Sequence, residues 1–249
     1  RVVPSLVFGF SGTGPDSCGW LSDDTVLFPA GRNVCSYTAD ARPPMSFSES
    51  APGVELCTMV KLSPNRRLVA VAEKTQAGSQ VALLNCTKLM RTRTLTNSLM
   101  GDVTALDFSA DGSMVAAVCA DPEVRLTVWK WESGKVVNSV VVGHQVHAFS
   151  FNPHDNKEYV TSGGQSLRFW HLREGAWKGS AVPGLDGKQV ATYTFTDHVW
   201  LPGKGRLAVG STNGTVFVIA NGHVSQRVPV PLNAQVRSLA PLSSRGFKG

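Results

Sequence analysis

Apolar and polar residues alternate with period two over Asp102–Phe108, and the alternation stops at the polar run Ser109–Gly112. Period two puts successive side chains on opposite faces of an extended chain, so this stretch predicts a half-buried strand. Ser113–Ala120 is a small apolar run that predicts a second strand, and Gly112 supplies the positive φ that a tight turn between the two requires. Val124–Trp131 and Lys135–Val142 predict a third and a fourth strand on either side of the turn Glu132–Gly134. The result is one antiparallel unit of four short strands.

That unit recurs. Aligning Cys18–Ser22, Met59–Pro64, Leu106–Ala110, Phe149–Pro153, Val199–Pro202 and Leu239–Leu242 places Leu21, Ser63, Ser109, Asn152, Leu201 and Pro241 in one phase, with spacings of 42, 46, 43, 49 and 40 residues. A superperiod of this size in strands predicts blades of a β-propeller. A sandwich predicts turn signals without a superperiod, and a helical solenoid needs apolar residues at i, i+3, i+4 and i+7. The 24 glycines and 14 prolines interrupt nearly every window long enough for that helical pattern. The expected architecture is therefore all-β: residues 1–249 as a partial propeller, with blades at about 17–50, 54–97, 101–142, 145–184 and 189–231 and a sixth beginning at 234. Residues 1–10 are expected to close the ring by adding a strand to its last blade. The sixth unit stops where its second strand is due, so the chain is expected to belong to a longer protein with a seven-bladed ring.

Composition narrows the chemistry. The chain is 42% hydrophobic, with 24 Lys+Arg against 18 Asp+Glu for a net charge of +6, which suits a buried core and excludes global disorder. Its longest apolar run, Val136–Val142, is broken by Asn138 and Ser139 and falls far short of the ~20 residues of a spanning helix. Residues 1–8 show no secretory h-region. The cysteines Cys18, Cys35, Cys57, Cys86 and Cys119 are odd in number, with no Cys-x-x-Cys, so neither a disulfide framework nor a zinc site is expected and a reducing compartment is.

No catalytic constellation emerges. Gly9–Thr13 lacks the last glycine of a nucleophile elbow, and Gly184–Gln189 has a Gly-Lys pair without the spacing or hydroxyl of a phosphate loop. His144 and His147 point to opposite faces if they lie on a strand, which disfavours a shared metal. The expectation is no enzyme, no cofactor and no metal. The six tryptophans are read as core rather than as nucleic-acid stacking platforms, because large rings fill the wedge between blades. Neither a nucleic acid nor a membrane is expected as a partner.

Gly143–Pro153, with its Gly143-His144 pair, followed by Thr161–Trp170, with Ser162-Gly163 and a terminal Trp170, resembles WD repeats; Trp129 sits at the same place one unit earlier. That resemblance implies a hydrogen-bonded set within the blade made by His144, Ser162 and Trp170, with Gln165 near the position of the usual aspartate. More narrowly, Val7–Gly9, Val26–Val34, Leu62–Ala70, Phe151–Pro153 and Val209–Gly214 resemble the axonemal WD-repeat proteins of cilia and flagella, Ser63–Arg67 being the most distinctive piece. This resemblance implies a WD40-type propeller, tandem propellers and a coiled coil elsewhere in the protein. It also implies a scaffold that helps dock or regulate inner-arm dyneins on doublet microtubules. The implied partners are axonemal proteins, inner-arm dynein components, doublet tubulin, and other copies or domains of the same protein, in the cytoskeleton of the cilium. A WD-repeat adaptor of a cytosolic assembly outside cilia shares every period and composition feature, and a propeller hydrolase would need a Ser/His pair or carboxylates converging on one face.

Charge is uneven along the chain. Residues 61–93 hold Lys61, Arg66, Arg67, Lys74, Lys88, Arg91 and Arg93 against Glu73 alone. Arg66, Arg67, Lys88, Arg91 and Arg93 are the candidate contacts to an acidic filament or dynein surface, since a basic edge raises association with acidic partners.

Overall fold

The computed structural model describes residues 17–96, 101–120, 122–173, 176–185, 193–203, 205–231 and 234–240. It is built from strands. The first sheet holds β1 (Gly19–Trp20), β2 (Thr25–Ala30), β3 (Asn33–Thr38) and β4 (Met45–Phe47), and the second β5 (Val54–Leu62), β6 (Leu68–Thr75), β7 (Gly78–Asn85) and β8 (Arg91–Leu95). The third holds β9 (Val103–Phe108), β10 (Met114–Cys119), β11 (Arg125–Lys130) and β12 (Lys135–Val141). The fourth holds β13 (Ala148–Asn152), β14 (Asp155–Gly163), β15 (Ser166–Arg173) and β16 (Ala176–Ala181), and the fifth β17 (Phe195–Trp200), β18 (Arg206–Ser211), β19 (Thr215–Ala220) and β20 (His223–Pro229). Within every sheet the strands follow chain order and pair antiparallel, so each sheet is a local meander of the kind the superperiod predicts. No helix among the described residues is long and apolar enough to cross a membrane.

The phase of the superperiod has a physical origin. Leu21 N–H donates to Thr25 O, Ser63 N–H to Leu68 O, Ser109 N–H to Met114 O and Leu201 N–H to Arg206 O, which are the same closing bonds of the turn after the first strand. In the second and third sheets the turn is tied further by side chains. Ser63 Oγ donates to Asn65 Oδ1 (2.8 Å) and accepts from Leu68 N–H, and Ser109 Oγ donates to Asp111 Oδ1 (2.6 Å) and accepts from Met114 N–H. Short polar side chains satisfy backbone donors in this way where no ladder partner exists. Burial would push the Asp111 carboxyl up, but hydrogen bonds from Ser109 and from the Ser113 amide and hydroxyl outweigh it and hold the group below its usual range.

Contacts divide the chain into two compact units, Arg1–Gly143 and His144–Gly249. In the first unit β6 is buried on both faces. Val69 and Val71 pack with Leu27, Val34 and Val60 between the first and second sheets, while Ala70 and Ala72 pack with Leu106, Val115 and Trp129 between the second and third. In the second unit Val160, Leu167 and Phe169 of the fourth sheet meet Phe195, Leu207, Val209 and Phe217 of the fifth. Fully burying a side chain of this kind is worth roughly 1.5–3 kcal/mol, so these inter-sheet layers hold each unit together. Cys57, Cys86 and Cys119 are free and buried in such layers and Cys35 among apolar residues of the first sheet, and burial pushes the Cys35 thiol to about 11 and the other three to about 12.

The closing strand at 1–10 lies outside the described residues. Residues 234–240, read as the start of a sixth blade, carry no assigned strand. They lie along the fifth sheet: Val236 is buried and donates its N–H to Ser211 O, and Asp197 Oδ2 accepts from Ser238 Oγ (2.9 Å) and Leu239 N–H (2.8 Å). Trp20 is not core but 61% exposed, because β1 is a two-residue edge strand paired only with β2.

Candidate functional site

The structure sorts the seven cations of residues 61–93 into two groups. Lys61 reaches Asp107 (3.7 Å), Lys74 reaches Asp102 (2.9 Å), and Arg91 reaches Glu73 through two contacts, Nη2 to Oε1 at 2.5 Å and Nη1 to Oε2 at 3.0 Å. Among the described residues Arg66, Arg67, Lys88 and Arg93 have no carboxylate within ion-pair distance. All four are exposed.

These four share one end of the second sheet. Arg66 and Arg67 form the β5–β6 turn and Lys88 the β7–β8 turn, and two such turns fall at the same end of an antiparallel meander. The turns are bonded to each other, since Cys86 N–H donates to Arg67 O (3.0 Å). Arg93 follows two residues into β8, its guanidinium against Gly134 of the third sheet. Arg66 also donates from Nη1 to Leu21 O (3.0 Å), which leaves the rest of its fork facing solvent.

Arg91 leaves the candidate surface. Its side chain runs back over the sheet to Glu73, which is only 3% exposed, and it also donates to Thr94 Oγ1 (3.2 Å), while Gln80 Nε2 donates to Glu73 Oε2 (2.7 Å). A carboxylate that deep needs its cation, so Arg91 is committed to the sheet. The signal was present in the sequence: one Glu inside the apolar run Leu68–Thr75 requires a partner once the strand is buried.

The expected blade set is also rearranged. Ser162 Oγ bonds His198 Nδ1 (2.6 Å) rather than His144, and His198 Nε2 bonds Ser150 Oγ (2.7 Å), to which Trp200 Nε1 donates (2.9 Å). The reason is position: His144 precedes β13, whose first residue Ala148 is the one that faces Ser162, whereas His198 lies on β17 against the fourth sheet. Trp170 donates from Nε1 to Thr161 Oγ1 (3.0 Å) and stacks on Tyr159, with centroids 5.8 Å apart. It therefore lies on the face of its sheet opposite to Phe169, the residue that packs against the fifth sheet. His147 bonds Phe195 O through Nδ1 (2.8 Å).

The Ser162–His198–Ser150 cluster is the kind of pair a hydrolase would need. Here His198 is 6% exposed and Ser162 fully buried, and both imidazole nitrogens are occupied by serine hydroxyls, so the cluster joins two sheets and admits no substrate. Among the described residues no group of three His, Cys, Asp or Glu side chains could hold a metal ion.

Trp129 is fully buried in the layer between the second and third sheets, and its Nε1 has no hydrogen-bond partner among the described residues. Tyr159 faces Trp170 and Thr161 follows two residues later; Val115 faces Trp129, and Ala117 stands where that threonine would be. Replacing Ala117 by Ser is expected to give the indole an acceptor and raise stability by about 0.5–1.5 kcal/mol in urea unfolding of the full-length protein. A variant no more stable than the parent would show that the indole is already satisfied.

Five four-stranded meanders in chain order, with packed inter-sheet layers and recurrent turns, define a WD40-type β-propeller. The WD domain, G-beta repeat family matches residues 91–127, which run from β8 to β11 and thus straddle two sheets, one repeat earlier than the resemblance over 143–170. The chain is similar to cilia- and flagella-associated WD-repeat proteins. It is 22% identical to cilia- and flagella-associated protein 57 of Mus musculus over 87% of its length, and 27% identical to cilia- and flagella-associated protein 44 of Trypanosoma brucei brucei over 82%. It is also 27% identical to WD repeat-containing protein 90 of Mus musculus over 96%. The chain spans only 17%, 11% and 13% of those relatives. The Cps50 (Swd1) β-propeller domain of Myceliophteria thermophila superimposes with a TM-score of 0.64 over 74% of this chain and 58% of that one, at 16% identity, which supports the fold alone.

Proposed function

We propose that this chain is part of a non-catalytic WD40-type scaffold of the ciliary axoneme, one that helps dock or regulate inner-arm dyneins on doublet microtubules. The observation that carries the reading is the similarity, over four fifths or more of the chain, to cilia- and flagella-associated WD-repeat proteins. Its partners on this reading are axonemal proteins, including dynein components and doublet tubulin, together with other copies or domains of the same protein. The exposed cations Arg66, Arg67, Lys88 and Arg93 supply part of the contact.

An exposed charge contributes only ~0.2–1 kcal/mol, so single reversals do little and a combined one is required. Co-sedimentation of the full-length protein with purified doublets should weaken steeply as ionic strength rises, and the variant with Arg66, Arg67, Lys88 and Arg93 all changed to Glu should lose most of the salt-sensitive part. Equal binding by the two proteins at every salt would assign these four side chains to solvent.

A further inference from the structure

The two turns that carry the exposed cations are strained in a way their counterparts are not. Arg66 N–H closes on Ser63 O (2.8 Å) as Gly112 N–H closes on Ser109 O (2.8 Å) in the third sheet, and Leu89 N–H closes on Asn85 O (2.8 Å) as Gly134 N–H closes on Lys130 O (2.9 Å). All four residues have positive φ: 71° and 72° at the glycines, 55° at Arg66 and 52° at Leu89. Glycine adopts that backbone freely, whereas an L side chain is crowded there.

Burial accounts for Leu89, which is 3% exposed and inserted among Leu27, Val60 and Cys86. Nothing comparable accounts for Arg66, which is exposed and reaches only Leu21 O across the turn. Strain held at an exposed side chain points to a use for that side chain. Seating Leu89 inward has a second consequence, because the next residue, Met90, is turned out and stands 62% exposed between Lys88 and the start of β8. Among the nearby acids, Asp24 is held by the Ser22 and Thr25 hydroxyls.

We infer that this end of the second sheet is a docking site for an acidic peptide segment that also carries an apolar residue, its carboxylates meeting Arg66, Arg67, Lys88 and Arg93 and its apolar side chain covering Met90. Charge complementarity selects the acidic occupant, since four cations without carboxylate partners among the described residues share this end of the sheet with one exposed, polarisable apolar side chain suited to irregular apolar contacts. The inference deepens the scaffold reading, on which it rests only for where the partner is found.

The test uses the full-length protein and two short fluorescein-labelled peptides, one of glutamates alone and one of glutamates flanking a leucine, read by fluorescence anisotropy at low and moderate salt. Met90→Ser should weaken the leucine peptide about fivefold, as expected for part of a buried methionine, and leave the all-glutamate peptide unchanged. Arg66→Gly should weaken both peptides about two- to fivefold while the melting temperature stays level or rises, because glycine relieves the turn. If Arg66→Gly instead lowers the melting temperature with binding intact, Arg66 is a structural tether and the site is wrongly assigned. A leucine-peptide affinity left unchanged by Met90→Ser, or equally tight binding of a single-stranded DNA of matched charge, overturns the acidic-peptide occupant. Either failure leaves axonemal retention of the protein untouched and so is separable from failure of the scaffold reading.

Discussion

Replacing Gly163 by Ala is expected to destabilise the fourth sheet by about 3 kcal/mol or more. A Cβ built at Gly163 would lie 2.4 Å from His147 N, 2.5 Å from Gln145 O and 2.8 Å from Val146 Cα, all of them backbone, so no side chain can swing aside to admit it. Residues 145–147 must move. That shift breaks the His147 N–H to Ser162 O bond (2.8 Å) and draws away the imidazole that bonds Phe195 O, loosening the fifth sheet from the fourth. Overpacking alone costs about 1–3 kcal/mol, and each hydrogen bond about 1 kcal/mol more. For a domain of this size the melting temperature should fall by roughly 6–12 °C. Gly31→Ala is the comparison, because Gly31 has positive φ (60°) but nothing within 4 Å of its absent Cβ. It should cost only about 1–2 kcal/mol of backbone strain. Equal thermal shifts for the two variants would show that residues 145–147 yield easily.

Truncating Arg91 to Ala should cost about 3–5 kcal/mol, whereas Arg93→Ala, two residues along the same strand, should cost less than about 0.5 kcal/mol. The difference lies in what each guanidinium faces. Arg93 is exposed, while Arg91 supplies the cation for a Glu73 carboxylate that is 3% exposed and, among the described residues, otherwise receives the Gln80 amide. Removing the cation strands the charge. Removing both charges together, as Glu73→Met with Arg91→Met, should recover most of the loss, because well-packed apolar replacements of a buried pair are often neutral. Urea unfolding of the four proteins decides the matter: Arg91→Ala as mild as Arg93→Ala would mean that water reaches Glu73.

These two residues also show how far the sequence could be read. The strands, their order and the phase of the repeat were legible because they depend on local chemistry: alternation, and a turn after the first strand closed within a few residues. Gly163 was visible as part of a Ser-Gly motif, but its necessity depends on Gln145–His147 crossing behind it, a contact that no local pattern reports. The same limit explains the mistaken partner of Ser162, where the motif suggested His144 and the fold supplies His198, 36 residues away. Reading the tryptophans as wedge-filling core made Trp170 buried, as it is, but could not say that its face of the sheet is the one opposite to Phe169. Charge was the least legible feature. Seven cations over residues 61–93 look alike in the sequence, and only their placement separates Lys61, Lys74 and Arg91, which are paired with Asp107, Asp102 and Glu73, from the four that face solvent.

The scaffold reading is tested most directly by fractionating cilia that carry the epitope-tagged full-length protein. Detergent removes the membrane and soluble matrix and leaves the doublets with whatever is bound to them. The account predicts that the tagged protein stays with the extracted axoneme at low salt, is released as ionic strength rises, and decorates the doublets in the intact organelle. Recovery in the detergent-soluble fraction, or confinement of the tag to the cell body, would contradict it and would favour a WD-repeat adaptor that works outside the cilium.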